Sequence, residues 1–98
     1  MVRTKRRKPV LARKLRRIRM AMGMSQNEMI RTMGIEDSLL REEVSDFERN
    51  KRIPSLEVVL AYARAAGISV EVLIDDDLKL PAKIPVKAKH TTKSNSGP

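Results

Sequence analysis

The chain has 98 residues and a formal net charge of +9 at pH 7, with no cysteine, no tryptophan, one phenylalanine and one tyrosine. This length allows one small domain, the lack of thiols excludes disulfides and thiolate metal sites, and so few aromatic rings argue against modules that stack unpaired bases. No apolar run approaches the roughly 20 residues that cross a bilayer, so we expect a soluble, cytoplasmic protein with no membrane partner.

The charge is distributed unevenly along the chain. Residues 1–19 carry ten basic and no acidic side chains, residues 20–78 carry six basic and all twelve acidic side chains, and residues 79–98 add five lysines. We predict a basic flexible arm at 1–9, a folded domain at 10–78 and a disordered basic tail at 79–98. A basic arm and a basic tail on an acidic domain indicate a polyanionic partner that is bound by the two ends of the chain.

Five short helices are predicted between about residues 10 and 76, and no segment alternates as a strand does. The first helix ends at Gly23, and its apolar side chains recur with helical spacing at Leu11, Leu15, Ile18 and Met22. Ser25 and Glu28 form a capping-box pattern that begins the second helix. Gly34, which tolerates a left-handed conformation, ends it.

The remaining three helices are predicted from the same kinds of signal. The third is expected to bury Leu40, Val44 and Phe47, with Asp37 or Ser38 as its cap and Asn50 after its end. Ser55 and Ser69 are predicted to cap the fourth and fifth helices, with Gly67 between the two. The side chains expected to face inward from the fourth helix are Leu56, Val59, Leu60 and Ala63.

These elements, in this order, resemble the helix-turn-helix family of Cro and the phage repressors, the Xre type. The matching residues are Arg19, Gly23 to Gln26, Met33 to Ile35, Val44 to Arg52, Pro54 to Leu56 and Ala66 to Leu73. The resemblance implies an all-α, compact five-helix repressor-like domain that binds double-stranded DNA. The family's third helix enters the major groove.

The resemblance also implies roles for individual residues. Gln26 opens the second helix, where its amide and the free backbone N–H groups are expected to bind a phosphate. The positions expected to read bases are Arg41, Glu42 and Asp46, and those expected to contact the DNA backbone beyond the helix are Asn50, Lys51 and Arg52. Arg19 and Glu48 match a family ion pair between the first and third helices, and we interpret them as structural.

Three features depart from the family pattern. The connection from Gly34 to Asn50 is four residues longer than the family's commonest spacing, so either the turn or the third helix is lengthened. Ile30 stands where a small residue lets the two motif helices approach closely. Glu42, Glu43 and Asp46 make the expected reading surface acidic; carboxylates can accept a hydrogen bond from cytosine N4, but they repel phosphates.

The arm offsets this acidity with basic side chains at Arg3, Lys5, Arg6, Arg7 and Lys8. It resembles repressor arms that wrap around the duplex and homeodomain arms that enter the minor groove. We therefore predict a sequence-specific DNA-binding transcriptional regulator, a nucleoid-associated homodimer of repressor or antitoxin type, the latter with a toxin partner. The alternative is a protein-interaction module whose acidic third helix docks a protein partner, while the arm and tail bind nucleic acid non-specifically.

No paired catalytic groups accompany the serines, so no enzyme activity is expected. The methionines are interpreted as core side chains, and Asp75 to Asp77 as a solvated helix end rather than a calcium site, because the calcium-loop spacing is absent. Neither a cofactor nor a metal is predicted.

Overall fold

The computed structural model describes residues 8–84. Its five helices are α1 (Pro9–Ala21), α2 (Gln26–Met33), α3 (Arg41–Glu48), α4 (Leu56–Ala66) and α5 (Val70–Ile74). There is no strand among residues 8–84, and the prediction of an all-α domain of five helices is confirmed. The arm residues Arg3, Lys5, Arg6 and Arg7 and the tail from residue 85 onward lie outside the described residues.

The capping box at the start of α2 is present as predicted. Ser25 Oγ accepts a hydrogen bond from the Glu28 N–H at 3.1 Å, and Glu28 Oε1 accepts one from the Ser25 N–H at 2.8 Å. The hydrogen bond from the Ser25 backbone lowers the pKa of the Glu28 carboxyl below its usual value. The cap therefore contributes stability above the unfolded-state pKa, and this contribution is lost as the pH falls through the lowered pKa.

Other helix ends also follow the local signals. Gly34 and Gly67 follow α2 and α4 with φ values of 73° and 72°, and Asn50 adopts φ 61° just beyond α3. Ser55 Oγ accepts the Val58 N–H at 3.3 Å, and Ser69 Oγ accepts the Glu71 N–H at 3.2 Å. These short-range interactions set the ends of the helices that the sequence predicts.

The start of α3 differs from the prediction. Neither Asp37 nor Ser38 caps the helix; Leu40 is the N-cap residue, and Glu43 Oε1 accepts the Leu40 N–H at 2.9 Å. The extra residues after Gly34 lengthen the turn and not the helix. Leu39, 5% exposed, fills the core position predicted for Leu40, which is 64% exposed, because the chain is not yet helical there and helical spacing does not apply.

The five helices surround one hydrophobic core. The largest side chains with almost no exposure are Tyr62, Leu15, Ile18, Met29, Leu73 and Val44. Val59 and Ala63 of α4 are buried as predicted, but the prediction that Leu56 and Leu60 face inward is wrong, since both are exposed. α4 contacts α1, α2 and α5 over a narrower face than its many apolar residues predict.

A buried lysine on α1 holds the segment that follows α5 against the domain. Lys14 Nζ donates hydrogen bonds to the carbonyl oxygens of Val72, Asp75 and Leu78 at 2.7, 3.0 and 2.7 Å. It thus satisfies carbonyls at and beyond the end of α5 that lack partners within the helix. Leu80 packs against the core and Ile84 is buried, so the disordered tail predicted from residue 79 does not include residues 79–84.

Replacing Lys14 with methionine is expected to lower the free energy of unfolding by about 1–3 kcal/mol, the usual cost of leaving partly buried acceptors without a donor. Methionine keeps an unbranched side chain but cannot donate to the three carbonyls. Urea denaturation followed by circular dichroism measures the change. Arg13→Met, at an exposed position on the same helix, is the matched control. Equal midpoints for the two variants would contradict a stabilising role for Lys14.

Candidate nucleic-acid interface

α3 is held against the domain by one side and leaves its other side open. Val44 and Phe47 are buried where α3 contacts α1 and α2. Arg41, Glu42 and Arg49 are exposed on the remaining surface. Ile30 of α2 is buried as well, so the bulky residue at the family's small position is part of the core that supports α3. An exposed helix face on a packed helix pair is the geometry that a major groove accepts.

Arg19 and Glu48 connect α1 to the end of α3 through a bidentate ion pair. Arg19 Nε and Nη2 donate to Glu48 Oε2 and Oε1 at 2.7 and 2.9 Å, and Nη1 donates to the Met24 carbonyl oxygen at 2.8 Å. The two side chains are 13% and 3% exposed. The hydrogen bond with Glu48 raises the pKa of Arg19 above its usual value. One guanidinium thus orients α1, the turn before α2, and α3.

Gln26 extends this network to the start of α3. Its Nε2 donates to Glu48 Oε1 at 3.3 Å, and its Oε1 accepts from Arg41 Nη1 at 3.4 Å. The structure therefore brings together the residue expected to bind a phosphate and one expected to read bases. The Gln26 side chain thus connects Arg41 at the start of α3 to Glu48 at its end.

Asp46 lies between two arginines near the end of α3. Its carboxylate oxygens are 3.8 Å from Arg49 Nη2 and 3.8 Å from Arg52 Nε. Arg49 was not among the residues that the sequence assigned to DNA contact, although its position three residues after Asp46 on a helix is a signal for such pairing. The acidic side of α3 is therefore partly balanced by basic groups at the C-terminal end of the helix.

Asn50 joins the end of α3 to the start of α1. Its Oδ1 accepts a hydrogen bond from the Lys8 N–H at 2.8 Å. The contact fixes the point at which the basic arm meets the domain, close to the exposed Lys51 and Arg52. Basic groups from two distant parts of the sequence consequently converge at the C-terminal end of α3.

Neither a metal-ligand cluster nor a membrane-spanning helix occurs among residues 8–84. No group of three or more histidine, cysteine or acidic side chains in this range could hold a metal ion. The same range contains no helix long and apolar enough to cross a membrane.

The comparison with protein families gives a match over more than half of the chain. The model of the family described as helix-turn-helix covers residues 15–73, which include most of α1, all of α2, α3 and α4, and most of α5. No curated protein and no solved structure matches the chain significantly. The matched range contains the Arg19–Glu48 pair, Gln26 and the exposed side of α3.

Proposed function

The chain belongs to the helix-turn-helix family of DNA-binding transcription regulators, and from this premise we propose a sequence-specific, repressor-like regulator that binds double-stranded DNA as a homodimer. The observation that carries the proposal is the exposed side of α3, which is oriented by the Arg19–Glu48 pair and supported by buried Val44 and Phe47. Rigid support of this kind keeps a recognition helix in register with base edges.

The proposed base contacts come from Arg41, Glu42 and Asp46. Arg41 can donate two parallel hydrogen bonds to guanine O6 and N7, and carboxylates can accept from cytosine N4. Glu42 is exposed, and no ion pair engages it within residues 8–84. Asp46 forms ion pairs with Arg49 and Arg52, so we expect Glu42 to discriminate between base pairs more strongly than Asp46 does.

The proposed phosphate contacts come from Gln26, Asn50, Lys51, Arg52 and the basic arm. Phosphate contacts orient a protein on the duplex without reading sequence. The hydrogen bond between Asn50 and Lys8 supports an arm that starts next to the backbone-contacting turn. Action on chromosomal DNA implies a cytoplasmic, nucleoid-associated protein. These contacts fit a repressor, and they fit equally an antitoxin, which would bind a toxin as well as DNA. Neither function requires an enzyme activity or a cofactor.

Selection of genomic DNA fragments bound by the full chain, followed by mobility shifts on the enriched fragments, tests the proposal. We expect enrichment of one two-fold symmetric sequence, with a Kd at physiological salt at least about 10³-fold below that for random duplex. Equal affinity for all duplexes would contradict sequence-specific recognition.

A second candidate function is docking of a basic protein partner by acidic side chains of α3 and of the turn before it. Exposed Glu36, Asp37 and Glu42 favour it, because clustered carboxylates repel DNA phosphates. A complete lack of DNA binding in the same assay would favour this function over the first.

The substitution Glu42→Gln is expected to reduce discrimination at one base pair by about 1–3 kcal/mol while overall affinity stays equal or rises. Glutamine keeps the shape of the side chain and removes its charge. Parallel binding selections of the two proteins measure the change. Glu71→Gln, an equal change of charge at an exposed position on α5, is the control. Uniformly tighter binding with an unchanged preferred sequence would show that Glu42 limits affinity without reading a base.

A further inference from the structure

A groove with a volume of about 710 Å³ lies between the outer side of α1 and the segment that follows α5. Val10, Arg13, Arg17 and Met20 line it from α1, and their spacing of three, four and three residues places them along one side of that helix. Residues 78–80 line it from the other wall. Val10 and Met20 are about 15 Å apart along the helix, so the groove is long enough for a peptide segment.

The wall that residues 78–80 provide is fixed to the domain. Lys14 Nζ donates a hydrogen bond to the Leu78 carbonyl oxygen at 2.7 Å, and Lys14 itself is 7% exposed. Leu80 packs against the hydrophobic core. The groove is therefore formed before a partner binds, and binding does not have to order its walls. Sites that are formed in advance avoid part of the free-energy cost of association.

The groove is strongly cationic. Arg13, Arg16 and Arg17 are exposed and line it from α1, and exposed Lys79 lines it from the other wall. Within residues 8–84 none of these four side chains forms an ion pair. Arg13 and Arg17 are four residues apart, a spacing at which like charges destabilise a helix. The stability of α1 therefore does not account for these charges, and they favour an anionic partner.

Two carboxylates line the groove, and neither neutralises it. Glu48 is 3% exposed and is paired with Arg19, and Asp76 is a single exposed carboxylate against four cations. The chain's own ends do not complement the groove, because residues 1–7 and 85–98 contain basic side chains and no acidic one. The complementary anionic groups therefore come from another molecule.

Apolar side chains distinguish the groove from a surface that binds only phosphates. Met20 and Leu78 are 55% and 37% exposed, and Val10 and Leu80 are half-buried. Phosphates gain nothing from apolar neighbours, whereas an amphipathic helix buries its apolar side chains in a groove of this kind. The groove thus offers apolar contact and positive charge side by side.

We propose that this groove binds an acidic amphipathic helix of a protein partner. The apolar side chains of that helix contact Met20 and Leu78, and its carboxylates pair with Arg13 and Arg17. None of the residues proposed to contact DNA lines the groove, so the two surfaces are separate and this inference does not depend on DNA binding. It also differs from the second candidate function, in which carboxylates of this chain bind a basic partner.

Fluorescence anisotropy of a labelled helical peptide titrated with the full chain tests the proposal. The peptide has about 15 residues, with leucines along one face and glutamates elsewhere. We expect Arg13→Glu with Arg17→Glu to raise the Kd about tenfold or more, and to bind the matching lysine–leucine peptide instead. Arg31→Glu with Arg64→Glu changes the net charge equally at exposed positions outside the groove and is the control. An equal loss of binding in both double variants would show attraction by net charge alone and overturn the proposal.

Nuclear magnetic resonance of the full chain locates the bound peptide. We expect the peptide to shift the signals of Met20 and Leu78, and a peptide with serine in place of leucine to shift them far less. Shifts confined to other residues overturn the site. Shifts of the same signals by duplex DNA, absent from the Arg13→Glu with Arg17→Glu variant, would make the groove a nucleic-acid surface. Concentration-dependent shifts without peptide would make its occupant a second copy of the chain. Either result overturns a separate protein partner and leaves the test of DNA selectivity unaffected.

Discussion

Replacement of Glu48 by alanine is expected to lower the free energy of unfolding by about 3–5 kcal/mol, the cost of removing one partner from a buried ion pair. The Arg19 guanidinium is 13% exposed and would lose both of its bonds to Glu48 while keeping only the bond to the Met24 carbonyl. Gln26 would lose an acceptor as well. The contact that orients α3 against α1 would thus be lost together with the stability it provides.

Urea denaturation with and without DNA measures both consequences of this substitution. For the measurement without DNA, Asp46→Ala is the matched control on the same helix, since its ion pairs are at 3.8 Å and partly exposed; we expect it to cost less than about 1 kcal/mol. Unchanged stability of Glu48→Ala together with lost DNA binding would mean that Glu48 contacts DNA and has no structural role.

Removal of residues 2–7 is expected to weaken binding to every DNA sequence alike. The deletion takes away Arg3, Lys5, Arg6 and Arg7 but keeps Lys8, whose N–H bonds to Asn50. The affinity falls as salt rises, and each phosphate contact contributes about 0.9 to the steepness of log K against log salt. Loss of four contacts therefore makes the slope shallower by about 3–4 and reduces affinity at 0.1 M salt by roughly 10³-fold. These four contacts are a large share of the total, because the exposed side of α3 is acidic and contributes few phosphate contacts.

Fluorescence anisotropy with specific and random duplexes across a salt series measures this effect. A variant with glutamine at the four basic arm positions keeps the length of the arm and is expected to match the deletion, which separates charge from chain length. An intact salt slope combined with a changed sequence preference would reverse the assignment and make the arm the reader of bases.

The sequence alone was sufficient where an interaction spans only a few residues. The capping box at Ser25 and Glu28 and the left-handed residues Gly34, Asn50 and Gly67 define helix ends locally. Helical spacing of apolar side chains predicted the five helices for the same reason. The family resemblance aligned Arg19 with Glu48, which the fold brings within 2.7 Å. The exposed side of α3 followed from the burial of Val44 and Phe47.

Only the tertiary structure decided the features that depend on distant parts of the chain. The burial of Leu39 in place of Leu40 depends on how the lengthened turn meets the core. Lys14 finds its three carbonyl partners about sixty positions later in the chain, and the Lys8 N–H finds Asn50. The physical reason is that hydropathy states how favourably a side chain would be buried, whereas the arrangement of the other helices determines whether a surface is there to bury it. Leu56 and Leu60 are apolar enough for the core, yet α4 presents its other side to it.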